Sequence, residues 1–407
     1  MHQSITDDSH PPSTKCDYQE DIDLSIQWTR RLLKPMGLWP SSYTTPKLEK
    51  YFFLFINVVC CGLLTLHLIP TTMYIFLELE DVYSMLKEFG PLVFGMSSIV
   101  KYYALIIHAA EIRECMKRIE WDWKNITYND DRDIMLANAN FGRRMVILCT
   151  FFMYSGFIFY HVALPIIERI TTKDDNITYI LPFSKYIIDT QYSPANEIVF
   201  CIQTITAGLE HSIESAACCL AACLAIHSCG QMQVLMNWLN YLIKHRSDMS
   251  NDVDGKIEKI VSQHVRILKF VALTEKTLQQ VSFAEFLGCT LDICLIGYYV
   301  IIETKLNDYR NAVTYVILLI SFTLNIFIFC YIGEMVAEHC RKIGEMSYMI
   351  EWYRLPGNKK LCCVMIIAMS NSTTPLTAGK MVELSISTFA DVVKTSVAFL
   401  NVLRATT

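Results

Sequence analysis

The last stretch of the chain reads Pro375-Leu376-Thr377-Ala378-Gly379-Lys380-Met381-Val382-Glu383-Leu384-Ser385, then ISTFADVVKTSVAFLNVLRATT from Ile386 to Thr407. It is long enough and apolar enough to predict a membrane-spanning helix, yet it carries Lys380, Glu383, Asp391 and Lys394. A charge at the bilayer centre costs roughly 2.5–3.5 kcal/mol on insertion scales, so such side chains face protein or water. The segment therefore reads as more than a lipid anchor. Upstream, Tyr51–Leu77, Met145–Ile167 and Ala312–Gly333 contain no Asp, Glu, Lys or Arg. Each can cross a ~30 Å hydrocarbon core as a helix. Pro91–Ala110 (with Lys101), Ile198–Ile226 (with Glu210 and Glu214), Val281–Ile302 (with Glu285 and Asp292) and Leu376–Leu403 bring the total to seven spans.

Composition agrees with an all-α membrane protein. Of 407 residues, 53% are hydrophobic and 18% charged, below the roughly 25% charged of soluble domains. A net charge of −5 without a basic, aromatic-interleaved tract argues against a nucleic-acid partner. The first fifty residues are polar, hold five prolines and show no cleavable signal peptide.

Lys and Arg placement predicts the orientation. The N-terminal segment and the second, fourth and sixth loops together hold twenty-five, and the opposite side holds seven. The expected topology has a cytoplasmic N-terminus and an extracellular C-terminus, the reverse of a G-protein-coupled receptor. None of the sixteen cysteines falls in an expected outer loop, which excludes an extracellular disulfide framework. Of the sequons at Asn125, Asn176 and Asn371, only Asn176 would lie outside and accept a glycan. The expected organisation is a cytoplasmic segment (1–50), spans one to four (51–227), cytoplasmic helical extensions (228–280), spans five and six (281–335), a cytoplasmic helix with a short further helix (336–374), and the terminal helix (375–407). The Ser215–Cys223 run of small residues predicts close helix packing in span four. Ile257, Ile260, Val261, Ile267, Leu268 and Val271 recur at helical spacing and need a packing partner, in the same subunit or in another.

Enzyme signatures such as HExxH, GxGxxG and Gly-x-Ser-x-Gly are absent, and no cofactor or metal site is expected. Glu210, His211 and Glu214 read as a polar face turned into the bundle. Aromatic, Met and small polar residues gather in the halves of spans two to six away from the N-terminal side. They serve either as bundle filler or as an apolar pocket for a small volatile molecule. The candidates are Phe94, Ser97, Ser98, Met153, Tyr154, Phe157, His161, Ile202, Thr206, Tyr298, Tyr299 and Tyr315. In the last span, Val392, Thr395, Phe399 and Val402 follow at three- or four-residue steps with Ala398 nearby, as a hydrophobic gate would need.

Three stretches resemble the insect odorant receptor family. They are the terminal helix with its Pro-Leu start, Gly379-Lys380 and the Ser-x-x-Thr-Phe of Ser385, Thr388 and Phe389; Trp352-Tyr353-Arg354-Leu355-Pro356; and His227-Ser228-Cys229-Gly230-Gln231. The resemblance implies a ligand-gated, non-selective cation channel assembled as a heterotetramer of this odorant-tuned subunit with a shared co-receptor subunit. It implies a plasma-membrane location in olfactory neurons, a small apolar ligand in the outer half of the membrane, and a pore lined by the last helices. It places the gate at Val402 with Asn401 and Ala405 beside it, and assigns the apolar stripes of the extensions to inter-subunit packing. The short connection between spans four and five is unlike the co-receptor, which carries a long insertion there. A metabotropic seven-helix receptor needs an outside N-terminus, a gustatory-type receptor a Thr-Tyr and Gln-Phe pattern missing here, and a transporter two related halves.

Overall fold

The computed structural model describes residues 18–40, 47–171, 182–190, 192–244, 253–349, 359–372 and 375–406. These residues form helices α1 (Tyr18–Leu33), α2 (Lys47–Leu77), α3 (Val82–Ile107), α4 (Ala109–Lys124), α5 (Asn129–Phe157), a π-helical segment (Ile158–Ala163) and α6 (Leu164–Thr171). Then follow α7 (Ala195–Lys244), α8 (Val253–Lys305), α9 (Tyr309–Met349), α10 (Lys359–Asn371), a hairpin of β1 (Thr377–Ala378) and β2 (Val382–Glu383), and α11 (Ile386–Thr406). Among the described residues, seven helices are long and apolar enough to cross a membrane, the seven spans expected from hydropathy.

α7 is the axis of the bundle. In its membrane-length window 94% of residues are buried, against 11% in α2 and in α11. The cause lies in Ala216, Ala217, Cys218, Cys219, Ala221 and Ala222, all fully buried. Small side chains let neighbouring backbones approach, which is how helices associate where lipid supplies no hydrophobic drive between them. Thr29 of α1 reaches the Cys219 carbonyl at 3.4 Å, and Gly142 of α5 packs on Ile226. By contrast, α2 displays Phe52, Phe55, Val58, Ile69 and Phe76, each more than half exposed, as a lipid-facing helix does.

α1, α4 and α10 gather at the end of the bundle where α7 finishes and α8 begins. Asp21 of α1 accepts from Arg132 Nε at 2.7 Å and Nη2 at 3.2 Å. Asp122 of α4 meets His227 Nε2 at 2.9 Å and Arg266 Nη2 at 3.3 Å. Arg266 also stacks 4.2 Å over the Trp121 ring. The Gln263 amide donates to Gln231 Oε1 at 2.5 Å. The His227–Gln231 motif thus holds α7 to α4 and α8. Lys276 pairs with Glu111 at 2.8 Å and holds that carboxyl below the usual carboxylate range.

Two sequence expectations need correction here. The apolar stripe of α8 does not wait for a second subunit. Ile257, Ile260, Ile267 and Val271 are already buried within this chain, Ile257 against Cys363 of α10. The uncovered apolar face belongs to α10 instead, where Leu361, Val364, Met365 and Met369 are 45–64% exposed. Second, the terminal helix does not begin at Leu376. Residues 377–383 form a hairpin pairing Thr377 with Glu383 and Ala378 with Val382, and α11 starts at Ile386. Gly379 (φ +62°) and Lys380 (φ +61°) both take the left-handed conformation, which a primed hairpin turn requires and a helix forbids. Lys380 and Glu383 therefore leave the span, and the 21 residues of α11 rise about 31 Å, enough to cross the core.

The hairpin is wedged between α8 and α9. Gly379 N donates to the Gln279 carbonyl at 2.9 Å, and Thr377 N to Glu275 Oε2 at 2.8 Å. A Cβ on Gly333 of α9 would sit 2.3 Å from the Leu384 carbonyl oxygen. Only glycine permits that approach. Ser385 then caps α11, its hydroxyl accepting from Thr388 N at 3.2 Å.

Candidate functional site

At the far end of the bundle from α1, helices α2, α3, α7, α8, α9 and the π-helical segment enclose a cavity. Its volume open to the centre of a water molecule is about 60 Å³, room for roughly four waters at ~15 Å³ each. The walls are aromatic and aliphatic: Phe94, Tyr160, Tyr299, Tyr315, Phe322, Leu295, Ile296 and Leu318. Phe94 meets Phe322 edge-on at 5.4 Å, and Tyr299 meets Tyr315 at 5.7 Å. Polar groups also line it: His67, Lys87, His161, Glu210, His211 and Asp292. His67 Nδ1 and Glu210 Oε1 lie 3.0 Å apart. His211 Nδ1 is 2.9 Å from the Ala207 carbonyl. A carbonyl accepts only, so Nδ1 is the donor in this contact.

Of the twelve pocket candidates, the structure brings Phe94, His161, Tyr299 and Tyr315 together on the cavity wall. Phe157 stands directly behind, 5.5 Å from the His211 ring. Tyr298 packs behind Tyr299 at 5.2 Å. The others serve helix contacts. Ser97 donates to the Ala284 carbonyl at 3.2 Å, Thr206 bonds its own helix at Ile202, and the Tyr154 and Ser212 hydroxyls are 2.7 Å apart. Ser98 and Met153 are fully buried away from the lining, and Ile202 is half-buried outside it. Spacing alone did not indicate His67, Lys87 or Tyr160. Glu210, His211 and Asp292 carried a legible signal, as ionisable residues inside otherwise apolar spans.

Toward the α1 end, below the cavity, lies a buried charge cluster. Lys101 Nζ of α3 reaches both Glu214 oxygens of α7 at 2.6 Å and Glu285 Oε2 of α8 at 2.6 Å. Asn325 of α9 donates to Glu285 Oε1 at 2.7 Å, and Cys149 of α5 reaches the Asn325 carbonyl oxygen at 3.6 Å. All five residues are buried. Charges withdrawn from water must be paired and hydrogen-bonded, and here the pairing cross-links five helices.

α8 connects these features to the terminal helix. Glu285, Asp292, Ile296 and Tyr299 lie along one of its faces, toward the cluster and the cavity. Another face carries α11: the Ser396 hydroxyl donates to the Thr290 carbonyl at 3.0 Å, and Gly297 approaches Leu400. Val392 and Ser396 are buried on that side. Val392 therefore leaves the stripe it shares by spacing with Thr395, Phe399 and Val402. Thr395, Ala398, Phe399, Asn401 and Val402 are exposed, with Val402 60% exposed. Asp391 and Lys394, 3.4 Å apart, extend this uncovered face. Ala405 closes α11 near its end. Asn176 lies outside the described residues, as does the Trp352–Pro356 stretch.

Known proteins share this architecture. The insect olfactory receptor OR5 from Machilis hrabei, solved in complex with eugenol, superposes with a TM-score of 0.78, covering 96% of this chain and 100% of that one at 16% identity. A second structure of the same receptor gives 0.74 at 17% identity. Odorant receptor 10 of Aedes albopictus is 20% identical over 234 residues, 55% of this chain and 60% of that protein. Odorant receptor 85b of Drosophila melanogaster is 25% identical over 145 residues, 36% of each chain. The matched stretches thus span between about a third and three fifths of these curated relatives. The family model for the 7tm odorant receptors, a receptor and channel family rather than an enzyme family, matches residues 81–397. With seven membrane-length helices and most of its length inside that match, this multi-pass membrane protein belongs to the 7tm odorant receptor family.

Proposed function

We propose that the chain is the odorant-tuned subunit of a ligand-gated, non-selective cation channel, assembled as a heterotetramer with the shared co-receptor subunit in the plasma membrane of olfactory neurons. The N-terminus is cytoplasmic, so α1, α4 and α10 form the inner anchor and the cavity opens in the outer half of the membrane. The small volatile ligand enters this cavity, as eugenol is bound by the Machilis receptor. α11 lines the pore, with Val402 as the gate and Asn401, Ala405, Ala398, Phe399 and Thr395 around it.

One observation carries this reading: α8 is the common wall of the cavity and of α11, which leaves Thr395, Ala398, Phe399 and Asn401 exposed among the described residues. A guest that alters the packing of Asp292, Ile296 or Tyr299 acts on the helix that holds Ser396 and Leu400. It can bias gating only by its difference in affinity for the two states. The exposed apolar face of α10 suits contact with neighbouring subunits. The test is whole-cell current under an odorant panel, with and without the co-receptor, with G-protein signalling blocked and surface expression verified. Fast current that requires the partner is expected. Current abolished by the block would sink the channel reading in favour of a metabotropic receptor.

A further inference from the structure

Asp292 stands out in the cavity wall. It is 2% exposed, it lines the cavity, and among the described residues its carboxylate has no hydrogen bond and no ion pair. Its charged neighbours are Lys101, Glu214 and Glu285. The Lys101 ammonium is already committed, with three contacts at 2.6 Å to the two glutamates. The region therefore holds three carboxylates for one ammonium, and Asp292 is the one left over.

The other polar groups around the cavity do not fill that place. Glu210 of α7 is matched by His67 of α2. His211 bonds its own helix through Nδ1. His161 of the π-helical segment is held by ring contacts with Tyr160 and His211 at 4.9 and 5.6 Å. Lys87 of α3 also lines the cavity, and among the described residues no ion pair joins its ammonium to Asp292. An anion withdrawn from bulk water without a counter-charge is costly, and a guest that brings the counter-charge gains most there. Phe94, Tyr299, Tyr315 and Phe322 surround the space with rings whose faces favour a cation.

We propose that the cavity is built for a small amine, an apolar or aromatic body bearing a protonated nitrogen that pairs with the Asp292 carboxylate. This assignment rests on the odorant-channel reading above and sharpens it by naming the ligand class. A neutral alcohol of the same shape can hydrogen-bond Asp292 but brings no charge, and charge-assisted hydrogen bonds are roughly twice as strong as neutral ones. Selectivity for the amine over its isosteric alcohol and hydrocarbon follows.

The test is a matched series on cells expressing this chain with the co-receptor: an arylalkyl amine, the alcohol on the same skeleton and the parent hydrocarbon. A general odorant panel runs on the same cells, with surface expression measured throughout. The expected result is a half-maximal concentration for the amine about tenfold or more below that of the alcohol. Asp292→Asn removes that advantage, so that in this variant amine and alcohol act at half-maximal concentrations within about threefold of each other, and Asp292→Glu retains the amine preference. If the alcohol matches the amine, Asp292 carries its own proton and the amine assignment is overturned. The same holds if D292N at normal surface level leaves the amine response unchanged, or if only other odorants of the panel open the channel, although that last result leaves the channel reading standing. If nothing in the panel opens a surface-verified complex, the channel reading fails and the amine assignment fails with it.

Discussion

Replacing Lys101 by methionine removes the one cation that holds Glu214 and Glu285 together. Methionine has nearly the length of lysine, so little volume is lost. What remains is a pair of buried carboxylates, both at most 1% exposed, with the Asn325 amide as a donor to Glu285 at 2.7 Å and to Glu214 at 3.5 Å. Removing one partner of a buried ion pair costs roughly 3–5 kcal/mol, because the other partner is left charged and unpaired. That is about 150- to 5,000-fold in the folded-to-unfolded ratio. Protonation of one carboxylate offsets part of this and sets the lower end of the range. Lys101→Met should therefore lower surface expression and the thermal midpoint of the detergent-solubilised complex. The triple variant Lys101→Met, Glu214→Gln, Glu285→Gln should recover most of both, since replacing a buried ion pair by neutral groups of similar volume is often close to neutral. The assay is surface biotinylation together with a melting curve followed by size-exclusion profile. If K101M melts like the wild type, or the triple variant is no better than K101M, the cluster does not hold the bundle by charge compensation.

With Val402 as the proposed gate, Val402→Ala should raise basal current or change ion selectivity; unchanged leak and selectivity would count against Val402 as the gate. Gly333→Ala should cost about 1–3 kcal/mol through overpacking, since its Cβ would lie 2.3 Å from the Leu384 carbonyl oxygen and 2.5 Å from the Leu384 Cβ; normal surface level and normal current would show that the hairpin can shift. Asn176→Gln should abolish the glycosidase-sensitive gel shift, while Asn125→Gln and Asn371→Gln leave it intact. A shift that depends on Asn125 would reverse the orientation.

Much of the architecture could be read from the chain because a bilayer imposes a length and a polarity on every helix that crosses it. Charge-free runs such as Tyr51–Leu77 and Ala312–Gly333 have no other stable fate. The helical spacing of the α8 stripe from Ile257 to Val271 was also legible. The hairpin at 377–383 was not. Its residues are as apolar as a helix start, and the left-handed pair at Gly379 and Lys380 depends on docking against Gln279 and Glu275. The packing of the α8 stripe was equally illegible, because a periodic apolar face announces that it will be covered without stating by what.

The site divides along the same line. Sequence alone determined that Lys101, Glu210, Glu214, Glu285 and Asp292 are costly inside spans and so must face protein, and that the last helix carries a polar face. Periodicity places a side chain on one side of its own helix, but it contains no term for the neighbouring helix. The tertiary structure decided that Lys101 joins Glu214 and Glu285, that His67 takes Glu210, and that Asp292 is left facing the cavity. It also decided which aromatics form the walls, bringing in Phe94, Tyr299 and Tyr315 and leaving Met153 and Thr206 in helix contacts. Those pairings join residues as far as 184 positions apart, and they exist only where the packing of α3, α7, α8 and α9 sets helix rotation and depth.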